Sequence, residues 1–438
     1  MQNRDIILRN NTLLSGFMKV AGFAITFTLV PMTLGFLESE QYGIWMAMSS
    51  ILTWITFFDV GLGNGMRNYL TQAISLGNYD MGRSYISTTF FFLTIIALIS
   101  LIVSIAPLIY LDMNKVFNTS AMTSAELRNT LFLAILFTLL TFVVKNIGVI
   151  YMALQRYAIN DFLNITGYFI ILLIIWAMTK ICNGSLNNVV LTFTAIPAIV
   201  FILASFPLFH RYPQLRPTVK SINMELGKRI MNKGIGFFII QITSCLIIFG
   251  ASNLFIIQYT SPETVTVYNI AYKYFHLVSV AYIIVISPMW NAYTDAAVKG
   301  DYKWIKKTFH RSILFWGISI VACIAMLLTC PFFYKIWIGD QIQVPWIISF
   351  SVMLFIIFFN LNNGATYLLN GLNTIRVQIY TSIGATLAYL LTIQLLGSEI
   401  GAEGIILCMA ASYAIMSIIH LYQCHLLIQQ KATGVWNK

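Results

Sequence analysis

Apolar residues in this chain come in long blocks, separated by short polar stretches, rather than at the two-residue period of a half-buried strand. A bilayer core takes about 20 apolar residues per helix. Blocks of that length occupy 12–34, 41–63, 86–111, 129–152, 158–180 and 188–209, then 234–257, 265–288, 312–333, 346–370, 377–397 and 402–424. Transmembrane strands would show about ten residues of strict alternation, which these blocks lack. The pattern predicts twelve membrane-spanning helices and connectors too short, on the outward side, to hold a catalytic domain.

Composition agrees. Of 438 residues, 58% are hydrophobic and 9% charged, whereas soluble proteins carry about 25% charged residues. This excludes an ordinary soluble enzyme, a disordered chain and a secreted disulfide scaffold. The six cysteines fall in or beside the spans without a C-x-x-C pair, so they read as small apolar fillers. A net charge of +11 raises the question of nucleic acid, and the answer depends on where the charges sit. Lys115, Arg128, Lys180 and Lys335 lie in the odd-numbered connectors, and Lys19, Lys145 and Lys273 lie inside spans. Every other Lys and Arg lies at the termini or in the even-numbered connectors. By the positive-inside rule both termini are cytoplasmic, and the excess charge orients the protein against anionic lipid heads without calling for nucleic acid. Residues 1–11 are polar and the first span lacks an A-x-A-like cleavage site, so that span reads as an uncleaved helix.

The chain repeats itself. MRNYLTQAISLGNY at 66–79 follows span 2, and MWNAYTDAAVKGDY at 289–302 follows span 8. At a constant offset of 223, Met66/Met289, Asn68/Asn291, Thr71/Thr294, Ala73/Ala296, Gly77/Gly300 and Tyr79/Tyr302 are identical. Most of these matches lie in a polar connector, where shared hydrophobicity cannot produce them. The expectation is two six-helix lobes, 1–210 and 234–438, joined by a basic cytoplasmic linker at 211–233. Six is even, so both lobes have the same orientation, as in parallel-repeat transporters that rock about a central cavity.

Polar residues are costly in lipid and should face the bundle or water. Residues three and four apart share a helix face. Span 1 carries Thr12, Ser15, Lys19, Gly22, Thr26 and Thr33; span 2 carries Ser49, Thr53, Thr56, Asp59 and Gly63; span 4 carries Thr138, Thr141, Lys145 and Gly148. Span 5 adds Asp161 and Asn164, span 8 adds Asn269, Lys273 and His276, and span 10 ends in Asn360, Asn363, Tyr367, Asn370 and Thr374. Lys145, Lys273, Asn360 and Asn363 are therefore candidate substrate-binding residues and Asp161 a candidate ion-coupling residue. The alternative roles are structural ion pairs, snorkelling lysines and interhelical hydrogen bonds. Pro31 in span 1 frees a backbone carbonyl and is the candidate hinge. GLGNG at 61–65 lacks dinucleotide-binding spacing, no ATP-binding P-loop occurs, and the histidines show no metal-ligand pattern.

Residues 42–79 also carry a family likeness. Tyr42, Gly43 and Trp45, the run from Asp59 through GLGNG to Arg67 and Asn68, and Gly77 with Tyr79 resemble the start of bacterial O-antigen flippases of the Wzx type. These are polysaccharide transporters of the multidrug/oligosaccharidyl-lipid/polysaccharide exporter superfamily. The resemblance implies an all-α, MATE-like fold of two six-helix lobes enclosing a cavity. It implies residence in the bacterial inner membrane and a polyprenyl-diphosphate-linked oligosaccharide as cargo. It also implies a cationic cavity, mapped here to Lys19 and Arg67, with Asp59 as a coupling candidate. Coupling to H+ or Na+, no other cofactor, and partnership with other polysaccharide-assembly membrane proteins follow in the same way. Two rival readings are a multidrug exporter of the same superfamily and a membrane-embedded glycan polymerase or ligase.

Overall fold

The structure, a computed structural model, describes residues 2–57, 62–228, 251–340 and 342–437. Among the described residues the regular structure is helical and no strand occurs, as expected where each backbone N–H and C=O must find its partner within one segment. Contacts divide the chain into two compact units, Met1–Phe238 and Ile239–Lys438.

The first unit contains α1 (Gln2–Phe57), α2 (Leu62–Ser75), α3 (Tyr79–Tyr110), the short α4 (Met113–Val116), α5 (Ser124–Val144), α6 (Asn146–Ala153), α7 (Tyr157–Ile181) and α8 (Leu186–Arg211). The described helices of the second are α9 (Ala251–Tyr259), α10 (Pro262–Val298), α11 (Tyr302–Ile338), α12 (Trp346–Gly371) and α13 (Arg376–Ile428). Nine stretches among the described residues are long and apolar enough to cross a membrane.

Two of these long helices contain a single non-helical residue. In α1 it is Glu38 (φ 62°, ψ 176°), between expected spans 1 and 2; in α13 it is Gly401 (φ 61°, ψ −170°), between expected spans 11 and 12. Both residues occupy a backbone region that is almost confined to glycine. The seventh expected span, 234–257, lies mostly outside the described residues, as does the expected coupling residue Asp59.

The connectors after spans 2 and 8 differ from expectation: they are helical. Residues 66–75 belong to α2, and the matching segment 289–298 completes α10. The reason is amphipathicity. Met66, Leu70 and Ala73 fall at i, i+4 and i+7 and are buried, as are Tyr293 and Ala296 in the second copy. The turn itself is brief. Gly77 and Gly300 each have φ near +70°, where a side chain would be strained. After each glycine a polar side chain caps the next helix: Asn78 Oδ1 accepts from the Met81 N–H and Asp301 Oδ1 from the Trp304 N–H, both at 3.0 Å.

The same correspondence continues further along each unit. The Thr71 hydroxyl donates to Ala153 O at the end of α6 (3.3 Å), and the Thr294 hydroxyl donates to Gly371 O at the end of α12 (2.9 Å). Just past those ends, Gln155 and Asn373 both have positive φ (64° and 57°). The matching pairs of N–H groups bond back alike, Arg156 N to Tyr151 O and Thr374 N to Leu369 O at 2.9 Å each. These matches set α5–α6 against α12 at an offset of 218, pairing Ala153 with Gly371 and Lys145 with Asn363.

A buried cluster of Met66, Leu70, Ile86, Ile150, Tyr151 and Phe201 holds this end of the first unit together. Its counterpart in the second joins Tyr293, Ile305, Phe309, Leu368 and Leu369. The described part of the expected linker, 211–228, is not a free tether. Arg83 Nε donates to Gln214 O, and the Thr218 and Asn223 N–H groups donate to the Ser87 and Thr88 hydroxyls of α3.

Candidate functional site

The first unit carries an open-sided cavity of about 400 Å³ bounded by α1, α5, α7 and α8 and by Lys145, where α5 and α6 meet. Three stripes expected from the sequence reach it: Ser49 and Thr53 from span 2, Thr138, Thr141 and Lys145 from span 4, and Asn164 from span 5. Leu52, Leu163, Gly167, Trp45, Tyr168, Phe193 and Phe201 complete much of the wall, with Trp45 and Phe193 in ring contact at 5.2 Å. The cavity is therefore aromatic and aliphatic with a few placed polar groups, the usual make-up of a small-molecule site.

Lys145 sits at a local break. Its own N–H bonds to Thr141 O, while the Gly148 N–H reaches back three residues to Lys145 O at 3.0 Å. This tightens the helix toward a 3₁₀ turn in the middle of a span, a feature associated with hinges. Asn146 supports the break, its Nδ2 donating toward Phe142 O and Val143 O at 3.2 and 3.3 Å. The Lys145 ammonium lies 5.6 Å above the Phe142 ring, a cation–π distance. Gly148, one turn on, is not in the cavity wall and packs against Asn160 and Phe201, where an added Cβ would collide.

The hydroxyls around the cavity are committed in one direction. Ser49 donates to Met46 O, Thr53 to Ser49 O and Thr194 to Val190 O, each at 2.8 Å, and Thr141 to Thr194 O at 3.4 Å. With their protons turned back on the backbone, these oxygens offer lone pairs. Beside Lys145 the site thus presents one strong cation and several acceptors. That set suits a ligand bearing both anionic oxygen and hydroxyl donors.

The remaining candidates are placed as follows. Lys19 lies in α1, with its side chain outside what is described. Arg67 is half-buried on α2, and Asp161 is half-buried on α7, one turn before Asn164 and outside the cavity wall. Pro31 is within α1, where the backbone stays helical; the kink comes seven residues later, at Glu38.

In the second unit Lys273 is half-buried on α10. Asn269 donates to Asn253 Oδ1 at 2.9 Å, and His276 stacks on Tyr272 with ring centroids 5.1 Å apart. Asn360 is fully buried and neither atom of its amide has a partner among the described residues, nor does Asn363 Nδ2. An unsatisfied buried amide costs about 1–3 kcal/mol, so these two side chains are poised to accept an outside hydrogen-bond partner.

The cavity wall supplied by α8, with Thr194, Pro197 and Phe201, was not anticipated; the signal for it was Pro197, a proline inside a span. Also unforeseen is a buried clamp on His420. Its two ring nitrogens meet Thr381 Oγ1 and Asn362 Oδ1, both at 2.8 Å, linking α12 to both halves of α13. No cluster of metal-ligating side chains occurs among the described residues.

No protein-family model matches the chain. It is 22% identical over 318 residues to a Salmonella typhi protein described as "Putative O-antigen transporter", covering 71% of this chain and 70% of that one. Among solved structures it is similar to a multidrug resistance MATE family transporter of the MOP superfamily in an inward-facing conformation. That match has a TM-score of 0.74 at 13% identity and covers 96% of each chain. It is also similar to a MOP superfamily transporter from Pyrococcus furiosus whose binding pocket is described as reversed in polarity. The TM-score there is 0.65 at 12% identity, over 98% of this chain and 96% of that one. The likeness read from residues 42–79 is thereby borne out: the chain has the fold of the MATE transporters, and its curated relative bears the name of an O-antigen transporter.

Proposed function

We propose that this protein is a flippase that carries a polyprenyl-diphosphate-linked oligosaccharide across the bacterial inner membrane by alternating access, coupled to H+ or Na+. It is a multi-pass membrane transporter and not an enzyme. The observation that supports this reading most is the Lys145 cavity, with one cation, several acceptor oxygens and aromatic walls. A diphosphate is drawn to a cation whose field is little screened in a low-dielectric wall. Sugar hydroxyls donate to the Ser49, Thr53 and Thr141 oxygens, and sugar C–H faces pack on rings such as Trp45. A volume of about 400 Å³ accommodates the diphosphate end and the first sugars rather than the whole cargo, so the polyprenyl tail stays in lipid.

In this scheme Lys19, Arg67 and Lys273 add cationic attraction, and Asn360 and Asn363 bind sugar in the second unit. Asp59 and Asp161 carry the coupling ion, and Pro31 bends span 1. Both termini face the cytoplasm. Deletion in the native host should abolish surface glycan while lipid-linked repeat units accumulate on the inner leaflet, and wild type but not Lys145→Gln should restore it. Unchanged surface glycan after deletion overturns the proposal. Deletion that instead sensitises cells to cationic drugs supports the multidrug exporter.

A further inference from the structure

The two copies of the repeat carry very different surfaces on the helix that follows the turn. At the offset of 223, Lys306, Lys307, His310 and Arg311 of α11 stand where α3 has Arg83, Ser84, Ser87 and Thr88. On α3 this face is covered. Residues 214–223 lie across it through the three hydrogen bonds already described, and Ser87 and Thr88 are 4% and 0% exposed. On α11 the same face is open. Lys303, Lys306, Lys307, His310 and Arg311 are all exposed and line one shallow hollow with Leu314.

Three features of this hollow go beyond a diffuse positive surface. First, its residues recur at spacings of three and four, so they form a single stripe. The stripe continues up α11 as exposed Ile318, Val321 and Leu328, the last 77% exposed. One helix face thus runs from cations directly into an apolar surface of the kind that meets acyl chains. Second, none of the three lysines nor Arg311 makes an ion pair among the described residues, and the nearby Asp301 carboxylate is committed to capping the Trp304 N–H. Third, the cations crowd into about 12 Å of helix at 1.5 Å per residue. That stretch is next to the positive end of the helix dipole, where a cation is disfavoured. Such a cluster is stabilised by an external anion, and the apolar continuation points to one that carries hydrocarbon.

We propose that this face of α11 is a binding site for an anionic phospholipid, with its phosphate among Lys306, Lys307 and Arg311 and its acyl chains along Leu314, Ile318 and Val321. The site is independent of the transported cargo. It differs from the matching site of the first unit because there the chain itself covers the face.

Purified full-length protein in nanodiscs or under native mass spectrometry tests this, with phosphatidylglycerol and phosphatidylcholine as probes. A basic residue near an anionic surface contributes about five-fold in binding, so Lys306→Gln/Lys307→Gln/Arg311→Gln should weaken retention of phosphatidylglycerol roughly 100-fold. Phosphatidylcholine retention should be unchanged, and Lys306→Arg/Lys307→Arg/Arg311→Lys should retain the anionic lipid. Three results would each overturn the proposal. One is undiminished phosphatidylglycerol retention by the triple Gln variant. Another is an equal loss in a control variant, Arg211→Gln/Arg216→Gln/Lys220→Gln. The third is displacement of the lipid by millimolar inorganic phosphate, which would mean a site indifferent to acyl chains. An unchanged melting temperature of the triple variant separates lost binding from lost folding.

Discussion

Lys145 in the first unit and Asn363 in the second occupy the same register, yet their surroundings diverge. Around Lys145 the helix breaks into α5 and α6, and Thr138 and Thr141 open onto a cavity. In the second unit α12 runs unbroken from Trp346 to Gly371. Phe359 stands where the first unit has Thr141, and it packs edge-on against Tyr413 at 5.5 Å with Phe355 beside it at 5.6 Å from the same ring. At one matched position of the duplicated frame a small hydroxyl residue thus borders a cavity, and at the other a ring packs on a ring. The difference teaches that the repeat fixes where helices start and stop, while the residues one or two turns away decide whether the space between them is available to a ligand.

The comparison breaks most directly at Lys145. Losing a charged hydrogen-bonding group costs about 1.5–3 kcal/mol, so Lys145→Gln should cut glycan export roughly ten- to 100-fold, whereas Asn363→Ala, losing a neutral group, should cost only a few-fold. Export measured by surface glycan in a deletion strain decides it, and equal losses would mean that the two units share the work. The next effect concerns stability. His420→Leu leaves the buried Asn362 Oδ1 without its partner while the Thr381 hydroxyl keeps its bond to Val377 O, a loss of about 1–3 kcal/mol. This should appear as a clear drop in melting temperature, with Lys145→Gln changing it little.

The two kinks sharpen the comparison further. Glu38 and Gly401 share one backbone conformation that disfavours side chains by about 1–3 kcal/mol. Glu38→Gly should therefore stabilise the first unit while Gly401→Ala destabilises the second, and thermal unfolding that moves both the same way would contradict the shared geometry. The smallest effects are at the paired threonines. Thr71→Val and Thr294→Val each remove the hydroxyl's bond to the neighbouring helix along with its bond to its own helix, the former worth about 0.5–1.5 kcal/mol. The shorter bond of Thr294, 2.9 against 3.3 Å, should make its loss the larger.

Much of this was legible beforehand. Six identities at one offset located the duplicated turn, because a glycine at positive φ and a polar cap leave a chemical trace that does not depend on distant neighbours. Thr138, Thr141, Lys145 and Asn164 were singled out because a polar group inside a span must be facing something other than lipid. The helical nature of the connectors was misread because polar residues there suggested a loop. The buried stripe of Met66, Leu70 and Ala73 was present in the sequence but needed a partner surface to be recognised. The His420 clamp could not be foreseen, since Asn362, Thr381 and His420 come from three separated stretches.

The sequence alone determined that this is a helical membrane protein, that it carries two copies of one turn and which polar residues within its apolar blocks demand an explanation. Those conclusions rest on local hydropathy and local hydrogen bonding, which act within a few residues of one another. Only the tertiary structure decided that Lys145 borders a cavity while Phe359, in the register of Thr141, packs on Tyr413, and that the face after one turn is covered while the matching basic face after the other is open. The physical reason is packing: whether a face is hollow, filled or bare depends on side-chain volumes contributed by helices far apart in the chain.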